Sequence, residues 1–366
     1  MKKVLVISNM YPTPAHLSFG IFVKNQVLAL EKAGMDVEIA ANTNPATGKK
    51  NTITKYAKWG FTTLVKGFKM RKSIDVTHAH YVFPSGMLSL LLKKMFGIPY
   101  VVTAHGGDIE RMAKKSPRIR NWTASILRES EHVIAVGPVL AQQIEQDFGI
   151  AKEKISIVSM GVNREVFSEG HQATARKELQ IASEPFVFLF VGNVIKQKGV
   201  EELLRAFQML KKEVNRPVEL VIIGSRRDGN FIQSLQPFVS DEVRFIDPLK
   251  QDELVKWFQA SDVFVLPSHL EGFGLVALEA LATNTPVIAS EVGGLVSLLG
   301  EGAGHLVVSE NTTALCDEML RAVNTQKELY LNREAVEQVL AIHDEKNITA
   351  QCIDIYKSAI KGGKGL

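Results

Sequence analysis

Two glutamates, Glu271 and Glu279, stand eight positions apart in the stretch SHLEGFGLVALEA, residues 268–280, with Gly-Phe-Gly after the first. A carboxylate accepts hydrogen bonds from sugar hydroxyls, so either side chain could hold a polyol. Gly272 and Gly274 allow backbone geometry that a Cβ hinders. A helix beginning near Leu275 leaves unpaired N–H groups around Phe273, Gly274 and Leu275, which suit a phosphate or sugar oxygen. Glu271 then sits on the loop ahead of those donors, and Glu279 lies inside the helix within reach of a ribose diol. The plainer alternative is an ordinary strand–loop–helix with Glu279 solvated.

A second group lies in FVGNVIKQKGVEELLRAF, where Lys198 precedes Gly199 at the start of a helical pattern. Lys198, with Lys196 and Arg226, is a candidate cation for an anionic ligand, and Asn193 is an uncharged donor. A solvated lysine before a helix is the plainer reading. His105, in VVTAHGGDIE, follows an apolar run; it is either a site histidine or a satisfied loop histidine. His78 and His80, in DVTHAHYVFPSG, have the i, i+2 spacing of metal ligands, but no matching third ligand is evident. Acceptor-side lining or packing is the better account of them. Gly20, in SFGIFVKNQVLAL, stands just before a helical pattern and allows close backbone approach there.

These residues must be placed by the elements around them. Short apolar runs (KVLVISN, DVEIAAN, DVTHAH, PYVVTAHG, HVIAVG) alternate with helical patterns such as IFVKNQVLALEKAG and GMLSLLLKKMFG. That alternation predicts parallel strands with crossover helices. The pattern loosens over 159–183 and restarts with FVFLFVG, VELVIIG, VRFID, DVFVLP and TPVIAS. Two successive βα domains are therefore expected, and the candidate residues fall beyond the carboxyl ends of strands, where open parallel sheets gather ligands.

Composition sets the outer bounds. At 366 residues the chain is long for one core, which favours two domains. A formal charge of +4 gives no ground for nucleic acid as a partner. Two cysteines, Cys316 and Cys352, indicate no disulfide framework and a reducing compartment. The opening apolar run, Val4 to Ile7, reads as a buried strand, not a secretory signal, and no stretch is apolar for long enough to span a bilayer.

EGFGLVALEA resembles the E-x7-E signature of the retaining GT-B glycosyltransferases of the large family 4, and ASDVFVLPS and the lysine–glycine pair of KQKGVEE are similar to the same family. VVTAHGGDIE resembles its Thr-x-His-Gly-x-Asp segment. The resemblance covers nearly the whole chain. It departs at Asn193, where arginine is common, and at Phe19-Gly20, where many members have Gly-Gly. It implies an α/β GT-B fold of two Rossmann-like domains facing each other across a cleft. Residues 1–168 would be the N-terminal acceptor-binding domain, and residues 169–366 the C-terminal donor-binding domain, with the last helix packing back on the first. By the same resemblance Glu271 contacts the donor sugar, Glu279 the ribose, Lys198 the pyrophosphate, and His105 the transferred sugar.

The implied reaction moves a sugar from a nucleoside diphosphate, a UDP-sugar by family frequency, to a saccharide or lipid-linked acceptor of the cell envelope. The anomeric configuration is retained, with no metal and no other cofactor. The departing phosphate itself helps deprotonate the acceptor, and no protein base is assigned. Competing readings are a nucleotide-sugar 2-epimerase or phosphorylase-type enzyme of the same fold, and a non-catalytic sugar-nucleotide-binding protein. A dinucleotide oxidoreductase is disfavoured because no G-x-G-x-x-G follows the first strand.

One segment points elsewhere. Residues 49–72, KKNTITKYAKWGFTTLVKGFKMRK, carry eight Lys/Arg and no acidic side chain. On a helical wheel Ala57, Phe61, Leu64, Val65 and Phe68 form an apolar stripe, with Lys55, Lys58, Lys66 and Lys69 beside it. The stripe is expected to pack on its own domain. The lysines form either a solvated face or a peripheral contact with an anionic membrane, which places the protein in the cytoplasm or at the inner face of the membrane.

Overall fold

The structure, a computed structural model, describes residues 3–46 and 48–363. Among the described residues, twelve strands form two six-stranded sheets whose pairings are all parallel. The first sheet holds β1 (Lys3–Ser8), β2 (Asp36–Ala41), β3 (Val76–His80), β4 (Tyr100–Ala104), β5 (His132–Ala135) and β6 (Ile155–Ile157). The second holds β7 (Phe186–Val191), β8 (Val218–Ile223), β9 (Val243–Ile246), β10 (Val263–Leu266), β11 (Val287–Ser290) and β12 (His305–Val307).

The chain divides into two compact units, one of Met1–Met160 with Glu345–Leu366, the other of Gly161–Asp344. The first crossing lies at 160/161, near the 168/169 expected, and the last helix returns to the first unit at 344/345. The helix Glu345–Gly363 belongs to the first unit because its apolar face is spent there: Ile348, Cys352, Tyr356, Ala359 and Ile360 join the core cluster of Val4, Val6, Val76 and Val101.

In the first unit, alternation along β1 sorts side chains to opposite faces of the sheet. Val4 and Val6 meet the helices Ile21–Lys32 and Glu345–Gly363, while Leu5 and Ile7 meet Trp59, Leu88 and Leu92 from the helices Lys49–Met70 and Ser85–Phe96. The strand order is β2-β1-β3-β4-β5-β6. Order reverses between β1 and β3; the loop leaving β1 leads to Gly20, and β3 ends at His80. In the second unit the order is β12-β11-β10-β7-β8-β9, with its reversal between β7 and β10. Such reversals open the crevice in which doubly wound sheets bind ligands. Lys198 follows β7 and Glu271 follows β10.

The helix Lys49–Met70 buries only part of the face expected of it. Leu64 packs on the core and Val65 is half-buried, but the helix sits down chiefly through Trp59, Thr63 and Gly67, and Phe61 is 70% exposed, Phe68 53% and, outside the expected stripe, Ile53 72%. Two local demands decide this. Trp59 Nε1 donates to the Ala40 carbonyl at 3.0 Å, and a Cβ on Gly67 would come within 2.4 Å of Leu92 Cδ2, so the helix approaches its neighbour through that glycine. The lysines also differ from one another. Lys55 Nζ donates to the carbonyls of Asn44 and Ala46, and Lys66 pairs with Glu38 at 2.6 Å and donates to the Ile39 carbonyl. The side chains of Lys49 and Lys50 lie outside the described residues. No described helix is long and apolar enough to cross a membrane.

Candidate active site

In the second unit the loops after β7 and β10 are tied together. The His269 amide donates to the Gln197 carbonyl at 3.0 Å. Gly199 has φ +66, and a Cβ there would lie 1.9 Å from the Pro267 carbonyl oxygen, so glycine is required on both counts. The pair Lys198-Gly199 is thereby a unit: the glycine lets the loop close against β10, and the closure brings the lysine to the neighbouring loop. There Lys198 Nζ lies 2.6 Å from Glu271 Oε2, an ion pair neither fully buried nor freely exposed. Ser268 Oγ donates to the same oxygen at 3.4 Å. The cation and the carboxylate assigned to different parts of one ligand are partners here.

The Glu271 loop is held in turn by the Gly294 amide, which donates to the Glu271 carbonyl at 2.9 Å. It leads through Phe273 and Gly274 into the helix Leu275–Ala282, whose N-cap Gly274 supplies no side chain to its first turn. The Phe273 ring is buried and lies 5.0 Å from His343, so what this residue can offer a ligand is its backbone. Leu275 stands half-buried in the first turn.

Glu279 is not solvated. It is 5% exposed and its Oε1 accepts from Gln251 Nε2 at 3.3 Å. Burial lifts its carboxyl from 4.5 to about 8, against a smaller lowering from Gln251. Asn193 is exposed just beyond β7, as is Lys196, while Arg226 is paired with Asp247 at 2.8 Å.

In the first unit, Gly20 caps the helix Ile21–Lys32 with φ +76, and a Cβ there would meet the Met10 carbonyl oxygen at 2.7 Å. This glycine fits the chain after β1 against the helix start. His105 follows β4. Its amide donates to Asp108 Oδ1 at 3.1 Å, and Val82, beyond β3, donates to Asp108 Oδ2 at 2.8 Å. The aspartate of the His-Gly-Gly-Asp sequence therefore ties two strand-end loops together; burial raises its carboxyl to about 6 despite those amides. The His105 ring lies 4.9 Å from Phe22 and 4.6 Å from Tyr81.

His78 and His80 do not make a metal pair. His78 engages Thr103 Oγ1 and the Tyr356 hydroxyl, each at 2.7 Å, and His80 Nδ1 faces His105 Nε2 at 3.1 Å. Among the described residues, the group spaced to hold a cation is Glu202, His269 and Glu310, with donor atoms within 4.8 Å of one another. Glu202 Oε1 and His269 Nε2 are 3.1 Å apart. Nothing in the immediate sequence surroundings of Gln251, Gly294 and Tyr356 distinguishes them; each acts on a residue distant along the chain, whereas Ser268 acts within the Glu271 loop itself.

A family model described as Glycosyl transferases group 1 matches residues 171–337, and one described as Glycosyltransferase Family 4 matches residues 20–166. The D-inositol 3-phosphate glycosyltransferase of Saccharomonospora viridis is 31% identical over 310 residues, which is 80% of this chain and 72% of that protein. The protein of the same name from Streptosporangium roseum is 34% identical over 251 residues, 64% of this chain, and the match spans 58% of the relative's length. Among solved structures, sucrose-phosphate synthase from Thermosynechococcus elongatus superposes with a TM-score of 0.79 at 22% identity, covering 99% of this chain and 100% of that one. HepE from Anabaena, in complex with UDP and glucose, gives 0.77 at 18% identity, covering 98% and 100%. At those identities the superpositions speak to the fold alone, which is a two-domain Rossmann-like GT-B fold.

Proposed function

The chain belongs to the group 1 glycosyltransferases of family 4, enzymes that transfer sugars, and on that premise we propose that it moves a sugar from a UDP-sugar to a saccharide or lipid-linked acceptor of the cell envelope, with retention at the anomeric carbon. The observation that carries the donor half of this reading is the Lys198–Glu271 pair at the reversal of the second sheet, beside an uncapped helix start. A diphosphate brings more negative charge than one carboxylate. It draws Lys198 away, and Glu271 is released to accept from the hydroxyls of the sugar. Charge that develops on the departing diphosphate is met by Lys198, by Asn193 and by the N–H groups around Phe273, Gly274 and Leu275, all in place before the bond breaks. Glu279, deeper in the same helix, accepts from the ribose diol. His105 contributes a neutral imidazole to the transferred sugar. Protein cations and backbone donors supply the positive field, and no metal is required.

The acceptor has a second reading. Relatives named D-inositol 3-phosphate glycosyltransferase favour a phosphorylated cyclitol. A single experiment separates these readings: incubation with UDP-, GDP- and ADP-sugars, in EDTA, with either inositol phosphate or a lipid-linked saccharide, followed by product analysis. Release of UDP only when a glycosylated acceptor appears supports a transferase and identifies the acceptor. Conversion of the donor to an epimeric nucleotide sugar without UDP release makes the protein an epimerase, and binding without turnover makes it a non-catalytic binder.

A further inference from the structure

β3 and β4 are paired in parallel with His80 opposite Thr103, so the residues at and just beyond their ends lie side by side. His80 is fully buried, and its Nδ1 lies 3.1 Å from Nε2 of His105. The other nitrogen of His80, Nε2, is sealed from solvent and takes no hydrogen bond among the described residues. His105, by contrast, is only partly buried, and among the described residues its Nδ1 takes no hydrogen bond. Both rings are neutral at pH 7: burial pushes His105 down to about 3, and burial with its two histidine neighbours holds His80 well below its ordinary value.

Two neutral imidazoles facing each other share one proton across the contact, and ring protons are assigned from such networks. If His105 Nε2 carries that proton, His80 must carry its own on Nε2, as a buried N–H with no acceptor, which folded proteins avoid more strictly than a bare buried acceptor. If His80 Nδ1 carries it, His80 Nε2 is a bare lone pair, and His105 is left with its proton on Nδ1, the open side of the ring. We infer that His80 is a positioning residue that fixes His105 in the Nδ1–H tautomer, so that His105 offers a hydrogen-bond donor to a sugar oxygen. The inference rests on the reading that His105 serves the transferred sugar. The wrong tautomer would present a lone pair instead, and the sugar hydroxyl would have to reverse its own hydrogen bond.

The test uses the whole chain labelled with ¹⁵N-histidine, with His105 assigned by loss of its signals in His105→Ala. The expected spectrum at pH 7 shows His105 protonated on Nδ1 and neutral; an Nε2–H tautomer in the wild-type protein overturns the inference by itself. His80→Phe keeps an aromatic ring but removes the donor. It should shift His105 to a mixture of tautomers and lower kcat about tenfold, with UDP affinity unchanged. His80→Asn places an amide N–H where Nδ1 was; it should keep the His105 tautomer and at least half of the turnover. A His80→Phe protein with the wild-type tautomer and kcat sinks the positioning role. Wild-type rates in both His80→Phe and His105→Ala, with the tautomer shifted in the former, overturn instead the reading of His105 as a sugar contact, and the positioning role with it.

Discussion

At the scale of residues, Glu279 links stability, binding and pH. Its carboxyl titrates near 8 in the fold and near 4.5 in an unfolded chain. Below pH 4.5 both states hold the proton, and between 4.5 and 8 only the folded one does, so stability falls as pH rises through that window. Glu279→Gln removes the term: the variant should match wild type in denaturant midpoint at pH 4 and exceed it at pH 8, by on the order of a few kcal/mol. On the proposed role of Glu279, ribose hydroxyls donating to this side chain would favour its ionised form, so UDP binding at pH 7 should release a proton. Calorimetry in buffers of different ionisation heat measures this directly, and Glu279→Gln should show no release. The Lys198–Glu271 pair makes a separate prediction. Lys198→Ala should weaken UDP binding about tenfold or more, the worth of a charged hydrogen bond. Glu271→Gln frees the lysine, so UDP should bind no more weakly while turnover collapses. Equal losses of UDP affinity in both variants would show that the pair acts only as a structural brace.

At the scale of elements, what could be read from the sequence depended on how local the determinants are. The ten longer strands announce themselves as apolar runs: those between neighbours are buried on both faces, and the edge strands β2 and β9, only partly buried, are still longer than three residues. β6 and β12 do not: each has three residues, stands at a sheet edge, and shows only partial burial in its pattern. The Gln172–Leu179 helix falls in the stretch that looked irregular. It is anchored by Arg176, whose guanidinium pairs with Asp262 at 2.6 Å and donates to the carbonyls of Ala260, Ser183 and Pro185. Polar anchoring of that kind leaves no periodic trace. In the candidate site the same division holds: Glu271, Lys198 and His105 could be picked out by type and neighbours, but the Lys198–Glu271 contact and the burial of Glu279 arise from loops that meet only in the fold. The Lys49–Met70 helix shows the error a wheel makes when it counts methylenes but not the indole N–H and the close approach at Gly67. Its outward Ile53, Phe61 and Phe68 lie among Lys58 and Lys69, which changes what a membrane assay should find. Binding to anionic vesicles should fall but not vanish at high salt, because the apolar side chains are unscreened. Ile53→Ser with Phe61→Ser and Phe68→Ser should remove the residue that survives salt, and Lys58→Gln with Lys69→Gln the part that does not. Lys55→Gln and Lys66→Gln should instead lower thermal stability, since those side chains are engaged within the unit. Wild-type protein that ignores anionic vesicles at low salt would leave the face without a membrane role.

At the scale of the molecule, the helix Glu345–Gly363 completes a core begun by β1, so truncation after Asp344 should expose the sheet face lined by Val4, Val6, Val76 and Val101. Limited proteolysis of the truncated chain should show the first unit cut rapidly and a resistant fragment spanning about 161–344. Uniform resistance across the truncated chain would mean that the first unit stands without the helix. The ends of that fragment lie close together: the Val162 amide donates to the His343 carbonyl at 2.9 Å, and Val162 is bridged to Asp344. The second unit is thus an insertion with a closed neck. On the ribosome this inverts the usual order of events. The part made first cannot finish until residues 345–363 have emerged, while the part made second holds all of its own core by residue 344. The nascent enzyme should therefore acquire its grip on the nucleotide while the other unit is still waiting for its last helix.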